Sequence, residues 1–91
     1  LILSTEDQLS TLKNSKLIIF PNPTSNGFTI GNSELLTDNN LELTIHNIFG
    51  QLVYSEKGKI NQIDVSSLVN GIYIIKAKSN NNYYSAKLLV N

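Results

Sequence analysis

His46 is the chain's one histidine, and the sequence holds no cysteine. Any imidazole or metal chemistry would therefore fall to a single ring. A zinc site needs three or four clustered nitrogen, sulfur or carboxylate ligands, and a serine triad needs a base held by an orienting acid. Glu42 shares the polar face of the same strand, but four residues at strand rise hold it roughly 13 Å from His46. Asp64 stands alone beside a turn, which supplies neither the paired carboxylates of a glycosidase nor the oxygen cage of a cation site. Its side-chain oxygen suits turn capping instead. Tyr73, two residues after Gly71 on an alternating strand, reads as a core aromatic whose hydroxyl finds a partner. Tyr54, Tyr83 and Tyr84 would stack on sugar rings if a flat sheet exposed them, which keeps a carbohydrate-binding or fibronectin-like accessory module as an alternative function. The expectation is a protein that is not an enzyme, with no catalytic residue, no metal and no cofactor.

Whatever positions these residues must do so within 91 residues. A chain of that length forms one domain with a thin core, burying about 60 to 65% of its unfolded surface. Seven lysines balance seven acidic residues, and arginine is absent. Without the bidentate guanidinium fork and without net positive charge, nucleic acid is not an expected partner. The lack of cysteine rules out a disulfide framework and leaves the redox compartment open. No charged start followed by a long apolar run is present, so neither a signal peptide nor a membrane span is expected. The start at Leu1 reads as a cut from a longer precursor.

Leu1 to Ser15, rich in Ser and Thr and too short to hold a helix unaided, reads as a linker to an upstream cargo domain, with the folded domain running from residue 16 to 91. From Lys16 the apolar period is two. Leu17–Phe20 and Phe28–Ile30 flank Pro21-Asn22-Pro23, where each proline fixes its own φ and pushes the residue before it toward extended backbone. Leu41, Leu43 and Ile45 alternate with Glu42, Thr44 and His46, one face apolar and one wet. Asn47-Ile48-Phe49-Gly50 then turns the chain into Gln51–Ser55, with Gly50 in the left-handed conformation of a bulge-type hairpin, so Gly50→Val should destabilise strongly. Ile60–Asp64 is a short strand, and Val65 and Leu68 plug the core's end. Tyr73, Ile75 and Ala77 face one way, with Ile72, Ile74, Lys76 and Lys78 opposite. After the Asn80–Asn82 hairpin, Tyr84, Ala86, Leu88 and Val90 face inward. With no amphipathic helix and about seven strands, the expected fold is all-β, a small antiparallel Ig-like sandwich.

Four motifs in this order carry a family resemblance: Phe20-Pro21-Asn22-Pro23, Asn47-Ile48-Phe49-Gly50-Gln51, Ile63-Asp64-Val65-Ser66 with Leu68, Gly71 and Tyr73, and Lys87-Leu88-Leu89-Val90. Together they resemble the C-terminal sorting domain, type A, of the type IX secretion system, over Leu17 to Asn91. Phe20 replaces the family's usual Tyr, Asn47 its Asp, and Gln51 its frequent Lys. Pro21, Asn22, Pro23, Gly50, Asp64, Gly71 and Tyr73 are the structural positions that the resemblance picks out. It implies a secreted or cell-surface protein of Bacteroidota-type bacteria. Its partners would be the outer-membrane translocon and a sortase-like peptidase that removes the domain. The domain would be read through the outward face of the final hairpin, Lys76, Lys78, Lys87 and Leu89, with that hairpin offering a free strand edge.

Overall fold

The computed structural model describes residues 14–91. The tether expected over Leu1–Ser15 therefore lies almost wholly outside the described residues, and the first described strand, β1 (Asn14–Lys16), straddles the expected boundary. Seven more strands follow: β2 (Ile19–Phe20), β3 (Gly27–Ile30), β4 (Leu41–Asn47), β5 (Leu52–Gly58), β6 (Gln62–Asp64), β7 (Gly71–Ser79) and β8 (Asn82–Val90). One helical turn, α1 (Ser33–Leu36), precedes β4. It buries Leu35, a plug that the sequence reading did not foresee.

The strands form two sheets, a five-stranded one in the order β1-β8-β7-β4-β5 and a three-stranded one in the order β2-β3-β6. Alternation decides which side of each is buried. Leu41, Leu43 and Ile45 of β4 are fully buried, as are Ile75 of β7 and Leu88 of β8. They meet Phe28 and Ile30 of β3 and Ile63 of β6 in one continuous cluster. This is the expected sandwich, since two sheets each apolar on one face can bury both faces only against each other. Each buried aliphatic or aromatic side chain contributes roughly 1.5 to 3 kcal/mol.

Two features depart from a simple antiparallel meander. First, β1 runs parallel to β8, with Asn14, Ser15 and Lys16 beside Tyr83, Tyr84 and Ser85. Second, the chain then crosses from the large sheet to the small one between Leu17 and Ile19. Asn32 holds that crossing. Its buried side chain accepts a hydrogen bond from the Ile18 amide (2.6 Å) and donates one to the Lys16 carbonyl (3.1 Å). Two backbone groups, one on either side of Leu17, are thus satisfied by one amide side chain that sits at the start of α1 without capping it.

Candidate functional site

The final strand is not a free edge, contrary to the sequence expectation. β8 has β7 on one side and β1 on the other. Beyond Ser85, where β1 leaves, the Pro-Asn-Pro segment takes over. The Asn22 amide donates to the Lys87 carbonyl (2.7 Å), and its oxygen accepts from the Leu89 amide (3.0 Å). Next along, the Thr24 amide donates to Leu89 (2.9 Å) and the Asn91 amide donates to Thr24 (2.9 Å). Asn22 therefore bonds like one residue of a ninth strand; the Phe20–Pro21 and Asn22–Pro23 peptide bonds on either side of it are cis. The buried Thr24 hydroxyl closes the next turn, donating to the Gly27 carbonyl and accepting from the Asn26 and Gly27 amides.

The outer face of the large sheet carries the four residues expected to be read by a partner. Across the β7–β8 ladder, Ile72 pairs with Leu89, Ile74 with Lys87, Lys76 with Ser85 and Lys78 with Tyr83. Lys76, Lys78, Lys87 and Leu89 thus share one face, and Lys76, Lys87 and Leu89 are exposed. They form a stripe rather than a point, because the rows of Ile72 and Lys78 stand roughly 20 Å apart at strand rise. At the far end the Lys78 ammonium lies 5.8 Å from the centre of the Tyr83 ring. Beside it, Lys57 meets Glu42 at 3.8 Å, an exposed pair.

At the near end the same face turns apolar. Asn47 pairs with Tyr73, so the β4–β5 turn projects beside the start of β7. The Asn47 side chain accepts from the Phe49 and Gln51 amides and donates to the Gln51 side chain, while the Gly50 amide donates to the Asn47 carbonyl. Gly50 has φ +84°, a left-handed backbone that glycine adopts at no steric cost. The turn's polar groups close on themselves, leaving Ile48 67% and Phe49 82% exposed.

The remaining sequence candidates fall into structural roles. Asp64 caps its turn by accepting from the Ser66 amide (2.9 Å), and hydrogen bonds from Ser66 hold its carboxyl below the usual value. Tyr73 is buried, and its hydroxyl donates to the Val69 carbonyl. Gly71 opens β7. His46 lies half-buried on the outer face between Leu52 and Ile74, with Nδ1 buried and unpartnered among the described residues. No group of three metal-ligating side chains occurs among the described residues.

The tyrosines do not make a sugar-stacking platform. Tyr84 is buried, pushed up in pKa first by that burial and then by Glu34, and Tyr54 packs against the core from β5. The Tyr54 hydroxyl bonds the Glu56 carboxylate, which raises its pKa to about 12. Tyr83 alone faces outward, 50% exposed.

The described residues form a small all-β module of two sheets, with an exposed outer face and rim. Residues 18–91 match the secretion system C-terminal sorting domain family. The chain belongs to that family, the sorting signal of the type IX system, which places it among secreted or cell-surface proteins. It is also 36% identical over 77 residues to the ulvan lyase NLR42 of Nonlabens ulvanivorans, a match covering 80% of this chain and 14% of that protein. No helix among the described residues is long and apolar enough to cross a membrane.

Proposed function

We propose that this chain is the export address of a cargo domain upstream in the same precursor. The outer-membrane translocon reads the folded sandwich as a shape, through the stripe of Lys76, Lys78, Lys87 and Leu89. After passage a sortase-like peptidase cuts in or before Leu1–Ser15, at or ahead of the start of the folded unit, and joins the cargo to the cell surface. The chain is the substrate of that reaction and performs no catalysis itself. One observation carries the reading: the family match over residues 18–91 coincides with the folded unit, β2 to β8 and the segments that tie them.

The test is a reporter fused ahead of the chain in a bacterium that has a type IX system. The wild-type fusion should reach the surface, and the charge-reversing K76E/K78E/K87E variant, altered only on the outer face, should stay behind with its fold intact. Equal delivery of both would remove the stripe from the reading. Mass spectrometry of the delivered reporter should find peptides ending no later than Ser15; peptides from β7 or β8 would exclude cleavage.

A further inference from the structure

Four of the described chain's exposed large apolar side chains crowd into six residues, Ile48, Phe49, Leu52 and Val53. The register sets Ile72 and Leu89, both exposed on the outer face, in the rows beside this turn. Soluble proteins rarely leave such side chains clustered without a partner. Here they are also held out rigidly. The three Asn47 side-chain bonds and the left-handed Gly50 fix the turn in advance, so seating Ile48 and Phe49 in a pocket would cost little ordering.

The charge pattern selects the kind of partner. The turn itself, Asn47–Ser55, contains no charged residue, and neither do Gly71–Ile75 and Leu88–Asn91 beside it. Its polar side chains, the amides of Asn47 and Gln51, bond each other. An anionic lipid surface attracts loops that themselves carry Lys or Arg, whereas Lys87, on this face beside Leu89, stands three strands from Leu52 along the row Leu52–His46–Ile74–Lys87. A protein pocket that is apolar and uncharged matches it, with an aromatic anchor at the centre and a polar rim.

We propose that Ile48 and Phe49, flanked by Leu52, Ile72 and Leu89, insert into an uncharged apolar pocket on a protein of the export machinery. This rests on the sorting reading above and adds to it a second contact, at the rim of the face that carries the lysine stripe.

The I48S/F49S variant changes only exposed side chains, so its circular dichroism and thermal midpoint should match wild type; F49N alone replaces it should the double variant fold poorly. In the reporter assay its surface delivery should fall by about tenfold or more, whereas F49L, which keeps the anchor apolar, should deliver like wild type. If wild type is delivered and I48S/F49S equally so, the corner is not read and the sorting reading stands. If wild type is not delivered, both fall. F49W gives the chain its one tryptophan. An emission blue shift with phosphatidylethanolamine and phosphatidylglycerol vesicles, or on raising the protein concentration alone, would overturn the protein pocket in favour of a lipid surface or a second copy. Unchanged emission in both agrees with it.

Discussion

The two sides of the large sheet are finished in opposite ways. On the β8 side, a parallel strand, an asparagine side chain and a threonine backbone consume the hydrogen-bonding groups in turn. On the β5 side, among the described residues, nothing pairs with the outer edge. Glu56 and Lys57 guard one half of it with charge, and a bulge at Val53 interrupts the ladder to β4, both usual means of blunting an edge. The other half leads into the apolar turn. The contrast separates two uses of surface. The β8 side is closed so that the fold holds, and the β5 corner is left open although closure would have been possible with polar residues.

The largest expected effect comes from one leucine on each side. Leu88 of β8 is fully buried, and Leu88→Ala should cost about 2 to 5 kcal/mol of unfolding free energy in urea. Leu52 of β5 is 57% exposed, and Leu52→Ala should stay within about 0.5 kcal/mol. Similar losses would mean that the two sides are not built differently. Next comes Asn22→Ala, which strips the Lys87 carbonyl and Leu89 amide of their partner. It should cost about 1 to 2 kcal/mol and speed hydrogen exchange at Leu89, leaving β5 amides unaffected. The smallest effect is a titration. The Tyr54 hydroxyl donates to Glu56 and its folded pKa is raised from 10.0 to about 12. That bond therefore contributes below pH 10 and is lost as pH climbs through about 12. In Glu56→Gln the late rise in phenolate absorbance should move back toward pH 10.

How far the sequence revealed this depended on the range of the interactions. Leu41, Leu43 and Ile45 could be assigned to the core from alternation alone, and Tyr73, Ile75 and Ala77 to one common face, because side-chain direction on a strand is a local property. The Asp64 cap and the Asn47–Gly50 turn were legible for the same reason. Asn22 was not. Proline restriction marks it as a turn residue, but its bonds to Lys87 and Leu89 cross 65 and 67 positions, and nothing local announces them. The parallel placement of β1 hid the true edges likewise, and so the final hairpin looked open when it is enclosed. Tyr83 and Tyr84 look alike in composition, and only their opposite parity on β8 separates the exposed ring from the buried one. The stripe of Lys76, Lys78, Lys87 and Leu89 was legible as a face. The apolar corner at its rim emerged only once the register brought three distant segments together.

The element that comes last in chain order, β8, stands second in the sheet and lies between the first described strand and β7. The ribosome must therefore have made β8 before this sheet can close, since β1 pairs only with Tyr83 to Ser85. A chain stopped ahead of β8 would lack an interior plank rather than a trimming. The assembled outer face consequently exists only once β8 has been made, a dependence built from strand order alone.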